Sequence, residues 1–527
     1  MERYGIGLQS FRSIREGGYV YVDKTDFIRV LLEGSKYYFL ARPRRFGKSL
    51  FLSTLENFFL GRRDLFRGLA IDSYDGWDWQ PHAVVRIDLN GADYANSEVA
   101  LAERLHATLL NYETAFDLPA RFDSPAERLR DLITRAADKY GRGVVVLVDE
   151  YEKPVLDTIA DSRRSEEVRE TLRGFYSVLK SVEESLAMVF ITGVTKFGKM
   201  SIFSGFNNLQ DISMDMRFGA ICGITEPELI ANFRDGIEGL AEAEEVGFDE
   251  AVAVLKKNYD GYHFSRNCPD LYNPFSILSA MSRREIGPYW FMTGTPTLLA
   301  TLLMEKRYDL QSLDGVMATE KELMDVQAGL DNPVALFYQT GYLTLKGYDR
   351  ESRTYTLGFP NQEVESAFYE YLIPFYMNAR ENKSDSLLTD FVKGITTGDT
   401  VRAIEVLEAY SAGINYDLVP KAEVERHFQN MVYAFSRMVL PYAVSVKTED
   451  HTSDGRIDLL IQTSKYIYVI EMKCNKSAAE ALGQIREKGY GLQFKTDPRQ
   501  VIFVGMNFST EKRRLDGYEI ELQADNG

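Results

Sequence analysis

The chain has 527 residues, of which 45% are hydrophobic and 26% charged, a composition typical of a soluble globular protein with about two to four domains. It contains no apolar stretch of membrane-span length, no apolar signal-peptide core, and three cysteines too dispersed for a zinc site or a disulfide framework, so we predict a protein of the reducing cytoplasm without membrane contact. The net charge of −17 argues against a protein that coats nucleic acid non-specifically.

The first motif joins a predicted strand to a predicted helix through a basic loop, with the sequence YYFLARPRRFGKSL over residues 37–50. This order is typical of a P-loop, in which backbone N–H groups and a helix N-terminus face the phosphates of a nucleotide triphosphate. Lys48 would reach the β- and γ-phosphates, and the Ser49 hydroxyl would bind Mg²⁺. Arg42 stands where the formal pattern has glycine, so a purely structural basic turn is an open alternative. The predicted ATP-binding residues of the loop are Arg45, Phe46, Gly47, Lys48, Ser49 and Leu50.

A second motif ends another predicted strand, GVVVLVDE at residues 143–150. A fully apolar run of this length suits a central parallel strand covered on both faces, and we expect its acidic end to lie beside the strand of the P-loop. Asp149 is then a candidate Mg²⁺ ligand, and Glu150 a candidate for polarising the attacking water. Acidic residues that merely end a buried strand are the alternative.

The surrounding elements predict the sheet to which both motifs belong. Thr192 and Thr195, near the end of one of these strands, are candidate sensors of the γ-phosphate, although ordinary β-branched strand residues account for each equally well. Strands that alternate with helices predict a parallel, doubly wound α/β sheet. The further strands are predicted at 82–91, 188–196 and 220–225, and the helices at 48–60, 126–140 and 166–185.

Strand patterns weaken after Thr225, and short helices there are interpreted as a helical lid beside the nucleotide. Residues 333–375 predict a helix, a hairpin and a second helix, a winged-helix-like order for which plain packing is an equally good account. Residues 380–420 read as a helical connector. The predicted domains are therefore 1–225, 226–420 and 421–527.

A second chemical site is predicted in the C-terminal domain, where GRIDLLIQ (455–462) and YIYVIEMK (466–473) form a hairpin. Glu471 and Lys473 are two residues apart and project from one face, and Asp458 on the neighbouring strand can converge with them. Two carboxylates would hold Mg²⁺, which polarises a phosphodiester and lowers the pKa of a water, while the lysine orients that water or offsets developing charge. Paired structural charges, such as Asp458 with Lys473, are an equally good account.

The helix before this hairpin adds Glu425, which is either a further metal ligand or a solvated helix charge. Residues 421–527 carry fifteen Lys/Arg and fifteen Asp/Glu, so the negative surplus of the chain lies elsewhere. A neutral domain can hold a local basic groove, and this part of the chain is therefore the candidate nucleic-acid surface.

Several motifs in chain order resemble known families. RPRRFGKS, the DEY after Val148, TGVTKFGKMSIFSGFNNL and YNPFSIL resemble the AAA-ATPase-like family found in many bacterial genomes. HFQNMVYAF, SDGRIDLLIQTSKYIYVIEMK and AAEALGQIREKGY resemble the PD-(D/E)XK nuclease-like domain that often follows it. In that family the loop begins with Arg-Pro-Arg-Arg, so Arg42 is the family form, whereas Glu152 departs from the aspartate that is common after DEY.

The resemblance implies roles that the residues alone leave open. It assigns Lys48, Ser49 and the Asp149-Glu150 pair to the nucleotide. In the nuclease-like domain it assigns a core and two accessory residues from helices, namely Asp458, Glu471 and Lys473 with Glu425 and Gln484. With the helical lid and the winged-helix-like middle region indicated by the pattern, the predicted fold is a P-loop AAA-type ATPase domain, that middle region, and a restriction-endonuclease-like α/β domain.

The leading interpretation is a bacterial ATPase whose nucleotide state controls a Mg²⁺-dependent domain that cleaves nucleic acid, DNA rather than RNA. Its cofactors are ATP and Mg²⁺, and such pairings suit, by analogy, defence against foreign DNA or the upkeep of mobile elements. The alternative is a nucleotide-switched signalling or scaffold protein whose nuclease-like domain only binds nucleic acid or a partner. A homo-oligomer is an open alternative to a monomer.

Overall fold

The structure is a computed structural model that describes residues 2–159, 161–196, 208–293, 297–306, 308–324, 333–376, 384–412, 424–452 and 455–523. The chain separates into two compact units, Met1–Trp290 with Val316–Asn361, and Phe291–Gly315 with Gln362–Gly527. The three-domain division at 225 and 420 stays a prediction. None of the described helices is both long and apolar enough to cross a membrane.

The first unit is built on a five-stranded sheet whose pairings are all parallel, in the order β2-β3-β4-β1-β5. Every residue of β3 is buried, as expected for a central strand covered on both faces. The prediction of a parallel α/β sheet is confirmed. The strands are β1 (Tyr37–Ala41), β2 (Val84–Asp88), β3 (Val144–Asp149), β4 (Leu186–Gly193) and β5 (Gln210–Asp211).

Two details of this sheet correct the sequence analysis. Strand β4 pairs with both β1 and β3, so the acidic end of β3 is separated from the P-loop strand by one strand instead of lying directly beside it. The expected strand at 220–225 is wrong, because the chain turns at Gly223 (φ 89°) and only Ile224 forms an isolated bridge, with Tyr272. The edge strand of the sheet is β5 instead. Residues 197–207 of the TGVTKFGKMSIFSGFNNL motif lie outside the described residues.

Helices pack around this sheet by burying one face. In α5, for example, Leu129, Leu132, Ile133 and Ala136 recur at helical spacing and are buried. Gly141 ends that helix in the left-handed conformation, with φ 64°. The helices are α1 (Phe11–Gly17), α2 (Asp26–Leu32), α3 (Lys48–Phe59), α4 (Ala100–Ala115), α5 (Pro125–Tyr140), α6 (Lys153–Asp157) and α7 (Ser162–Ser181).

The segment predicted as a lid is helical. It contains α8 (Glu226–Asn232), α9 (Arg234–Ala243), α10 (Phe248–Tyr259) and α11 (Pro274–Arg283). A capping box formed by Thr225 and Glu228 begins α8. The four helices share one hydrophobic core around Leu229, Ile237 and Leu255, and side chains of the N-terminal segment, such as Tyr4, pack against it.

The next elements are α12 (Thr297–Glu305), β6 (Met317–Thr319), α13 (Glu320–Leu323), α14 (Val334–Thr340), β7 (Thr344–Asp349), β8 (Thr354–Gly358) and α15 (Gln362–Tyr376). The predicted order of helix, hairpin and helix is confirmed by α14, β7, β8 and α15. The structure adds β6, which pairs with β8 and makes a three-stranded sheet in the order β6-β8-β7.

The second unit contains a mixed five-stranded sheet in the order β13-β12-β11-β10-β9. The only parallel pair among these described strands is β11 with β12, and the crossover that such a pair requires is α19. Gly505 on β12 lets α19 lie close, since a Cβ there would be 2.7 Å from the Leu482 nitrogen. The predicted restriction-endonuclease-like α/β fold is confirmed. Its elements are α16 (Ser384–Thr397), α17 (Thr400–Ala412), α18 (Val424–Arg437), β9 (Ala443–Thr452), β10 (Gly455–Thr463), β11 (Tyr466–Cys474), α19 (Ala478–Glu487), β12 (Gln500–Ser509) and β13 (Arg514–Leu522).

Candidate functional site

The basic loop 42–47 connects β1 to α3 and contains two residues in the left-handed backbone conformation. Arg45 has φ 61° and Gly47 has φ 100°, so the chain turns sharply before the helix begins at Lys48. The N-cap position is Gly47, which offers no side chain to the first N–H groups of α3. These groups, with the positive end of the helix dipole, are the features that favour an anion. Phe46 is fully buried and anchors the loop.

Arg42 fastens this loop to the rest of the unit. It is 1% exposed and donates hydrogen bonds to the carbonyl oxygens of Ser213 at 2.7 Å and Phe218 at 3.1 Å. Its guanidinium also lies 4.2 Å from the ring centre of Phe264. A glycine could make none of these contacts, which accounts for arginine at the position where the formal pattern has glycine.

Lys48 lies inside the loop, with only 4% of its surface exposed. Its Nζ donates to the carbonyl oxygens of Arg42 at 2.9 Å and Pro43 at 3.0 Å. Burial lowers the pKa of Lys48, and the carboxylates of Glu150 and Asp149 oppose that shift. The predicted lysine and the predicted acidic pair therefore lie within electrostatic range of each other.

The acidic end of β3 is held by two partners. Asp149 is 2% exposed; its Oδ2 accepts from Arg86 at 3.1 Å and its Oδ1 accepts from the Thr192 hydroxyl at 2.9 Å. Thr192 thus supports Asp149 in this structure. Glu150, the next residue, is half-buried and has φ 49°, so the chain turns at the position predicted to polarise water. Arg86 on β2 is a member of the site that sequence reasoning missed.

Glu152, to which sequence reasoning gave no role in the site, also lies within electrostatic range of Lys48. It is 1% exposed, and its Oε1 accepts from the N–H groups of Thr195 at 3.0 Å and of Val194. Its Oε2 has no hydrogen-bond partner among the described residues. Burial raises the pKa of Glu152 to about 7, with Lys48 acting in the opposite direction. The hydroxyl of Thr195 is also buried without a partner in this part of the chain. The signal in the sequence that could have identified Glu152 is its place as the third acidic residue of Asp-Glu-Tyr-Glu, residues 149–152.

A pocket adjoins the loop at Phe46, Gly47 and Leu50. Its other walls come mainly from apolar side chains of residues 8–22 and 221–278. Polar groups at its rim include Lys24, which is paired with Glu228 at 2.7 Å.

The structure also brings together Asp458, Glu471 and Lys473, the core residues of the second predicted site, on the β10–β11 hairpin. The pairing of Leu459 with Ile470 places Asp458 opposite Glu471 one step further along the hairpin, so both side chains lie on one face. The Asp458 Oδ2 accepts from the Met472 N–H at 2.8 Å. Glu471 is 2% exposed, and its Oε1 accepts from Lys473 at 2.8 Å and from the Gln484 amide. The partner of Lys473 is therefore Glu471.

Glu471 keeps one oxygen free for a ligand. Its Oε2 is buried and has no hydrogen-bond partner among the described residues. Burial raises the pKa of Glu471, and the negative charge of Asp458 adds to this while Lys473 opposes it. Glu425, the predicted further ligand, interacts with Cys474 and adds to the rise in the pKa of that thiol.

The donor set of this site fits a hard divalent cation. The described residues contain no group of three or more His, Cys, Asp or Glu side chains that could hold a metal. Two adjacent carboxylates, one with a buried oxygen lacking a partner, suit Mg²⁺, because this ion keeps several of its waters and needs only one or two carboxylates.

Comparisons with known proteins agree with this geometry. A family described as predicted AAA-ATPase matches residues 5–203, and the PD-(D/E)XK nuclease superfamily matches residues 423–517, which confirms both resemblances. The chain is 36% identical over 535 residues to an uncharacterized protein in the vnfD 5′ region of Azotobacter chroococcum mcd 1, and the match covers 98% of each chain. The ORC2 protein of Aeropyrum pernix is 11% identical over 64% of this chain and 87% of its own, but a TM-score of 0.25 is too low to carry any argument.

Proposed function

The chain belongs to the AAA-ATPase-like family and carries a C-terminal domain of the PD-(D/E)XK nuclease superfamily, and on this premise we propose that it binds and hydrolyses ATP. We further propose that its nucleotide state controls Mg²⁺-dependent cleavage of nucleic acid by the C-terminal domain. DNA is the proposed substrate, and defence or mobile-element upkeep is the biological setting that the domain pairing suggests.

The ATP proposal is carried by the position of Lys48, a buried ammonium at a helix N-terminus without a side-chain cap, within electrostatic range of Asp149 and Glu150. The loop would take the phosphates, and the pocket beside Leu50 would take the base. Ser49 and Asp149 would hold the Mg²⁺ that accompanies the nucleotide, and Glu150 would orient the attacking water.

The nuclease proposal is carried by the buried Glu471 oxygen that has no partner among the described residues. A buried carboxylate oxygen without a partner is costly, and a cation shared with Asp458 would remove that cost. When bound, Mg²⁺ supplies polarisation of the phosphodiester and a water of lowered pKa. Lys473 and Gln484 hold the Glu471 carboxylate in place through its other oxygen.

ATP-induced thermal stabilisation tests the first part of the proposal. A ligand at one hundred times its Kd stabilises the folded state by about 2.7 kcal/mol, and Lys48→Ala should remove most of this gain because it removes the charge that meets the phosphates. Lys36→Ala is the matched control, since the Lys36 side chain precedes β1 and donates to the Glu183 carbonyl oxygen. Equal stabilisation of Lys48→Ala and the parent by ATP would contradict the proposal.

A further inference from the structure

A cluster of Cys268, His263 and Asp270 lies in the first unit between α10 and α11, outside the residues assigned to either predicted site. Nδ1 of the His263 imidazole is 2.9 Å from Oδ1 of Asp270. The Cys268 thiol and the same imidazole shift each other's pKa, and Sγ of Cys268 also donates to the Ser265 carbonyl oxygen at 3.4 Å. A carboxylate, an imidazole and a thiol connected in this order favour transfer of the thiol proton to the imidazole.

The backbone fixes both members of the thiol–imidazole pair. The His263 N–H donates to the Thr344 hydroxyl at 2.7 Å, and that hydroxyl lies 3.0 Å from the His263 carbonyl oxygen. Sγ of Cys268 is 3.4 Å from the backbone nitrogens of Phe264 and Ser265, both of which donate to it. Two N–H groups directed at one sulfur stabilise a negative charge there.

The groups around the cluster favour a thiolate and an imidazolium. Burial raises the pKa of Cys268, but the hydrogen bonds from His263 and from the Phe264 N–H outweigh it and lower this pKa to about 7. The hydrogen bond to Asp270 raises the pKa of His263 to about 10. Among the described residues, the other charged or titratable groups that act on the three side chains are Arg42, Tyr338, Lys256, Lys346, Asp260 and Tyr272.

The other two cysteines of the chain have the opposite environment. Burial raises the pKa of Cys222. Burial and the neighbouring Glu425 raise the pKa of Cys474 to about 11. All three cysteines are free of disulfide bonds. Cys268 is 7% exposed, so a reagent that reaches its sulfur must be small.

We propose that Cys268, His263 and Asp270 form a modification site at which a small peroxide, such as hydrogen peroxide, oxidises Cys268 to a sulfenic acid. The thiolate attacks one peroxide oxygen, the S–O bond forms and the O–O bond breaks. The departing hydroxide takes a proton from the His263 imidazolium and leaves as water. The sulfur is oxidised by two electrons and the peroxide is reduced by two, so no other reactant is needed. Asp270 is a positioning residue that keeps the imidazole protonated and oriented.

The test exposes the full-length folded protein to hydrogen peroxide at a series of pH values from about 5.5 to 9. After catalase removes the peroxide, the protein is unfolded in a maleimide, and peptide mass spectrometry measures the fraction of each cysteine that escaped alkylation. At pH 7 we expect Cys268 to oxidise at least about tenfold faster than Cys222 and Cys474, which serve as internal controls. Its rate should rise with a midpoint near pH 7.

Two variants distinguish an effect of His263 and Asp270 on the oxidation rate of Cys268 from an effect of solvent exposure of the thiol alone. Asp270→Asn and His263→Gln should each slow oxidation of Cys268 at pH 7 and move the midpoint of its pH profile upward. Asp270 is the decisive position if His263→Gln does not fold, because the Asp270 side chain is 56% exposed. The proposal is overturned if Cys268 oxidises no faster than the other two cysteines, or if the pH profile of Asp270→Asn matches that of the parent.

Discussion

Replacing Glu152 by glutamine should remove a pH-dependent cost to the stability of the first unit. Burial raises the pKa of Glu152 from 4.5 to about 7. A carboxyl group whose pKa is higher in the folded state favours folding fully below pH 4.5, and that contribution is lost as the pH rises through about 7. At about 1.4 kcal/mol for each pKa unit, the rise corresponds to about 3 kcal/mol.

Glutamine suits this position because its oxygen can still accept from the N–H groups of Thr195 and Val194, while its amide cannot ionise. The free energy of unfolding of Glu152→Gln, relative to that of the parent, should therefore increase by about 3 kcal/mol between pH 4.5 and pH 8. Other titrating groups contribute equally to both proteins and cancel in the difference.

Urea unfolding followed by tryptophan fluorescence measures this difference in the correct unit, because Trp77, Trp79 and Trp290, the three tryptophans of the chain, all belong to the first unit. Glu167→Gln is the matched control, since Glu167 is an exposed residue of α7. A difference between Glu152→Gln and the parent that stays constant from pH 4.5 to pH 8 would mean that burial does not raise the pKa of Glu152 in the folded protein.

Three further substitutions each distinguish the role proposed for a residue from an alternative role. Glu150→Gln should lower steady-state phosphate release by about a hundredfold or more and leave ATP-induced stabilisation nearly unchanged, because a water-polarising carboxylate acts mainly in the transition state. Equal loss of phosphate release and of ATP-induced stabilisation would assign Glu150 a structural role. Asp458→Asn should abolish stabilisation by Mg²⁺ without destabilising the metal-free protein, since it relieves repulsion with Glu471 while Lys473 stays paired; thermal melts with and without Mg²⁺ decide. Arg42→Gly, which restores the formal P-loop pattern, should destabilise the first unit by about 3 kcal/mol in urea unfolding because several charge-assisted hydrogen bonds are lost, and an unchanged midpoint would contradict this.

The strand, loop and helix that begin at Tyr37 and the hairpin of the second candidate site could be predicted because their signals are local. A strand, a basic loop and Gly47-Lys48-Ser49 follow one another within fourteen residues, from 37 to 50. In the hairpin, the two-residue period of a strand is enough to place Glu471 and Lys473 on one face. Local periodicity therefore predicts which side chains share a face of an element.

The order of the strands could not be obtained in this way. Strand β4 lies between β1 and β3 although it follows both in the chain, because pairing depends on crossovers between distant segments. The sequence pattern likewise does not distinguish half-buried Glu150 from fully buried Glu152, since burial is decided by what packs against them. Arg86 was missed for the same reason, as its contact with Asp149 joins residues 63 positions apart.

Control of nuclease activity by ATP can be measured as cleavage of a mixed DNA and RNA panel with and without Mg²⁺ and ATP. We expect Mg²⁺-dependent cleavage by the parent that ATP alters, loss of cleavage in Glu471→Gln, and cleavage by Lys48→Ala that no longer responds to ATP. Binding of nucleic acid without cleavage under all these conditions, or equal cleavage by Glu471→Gln and the parent, would contradict it.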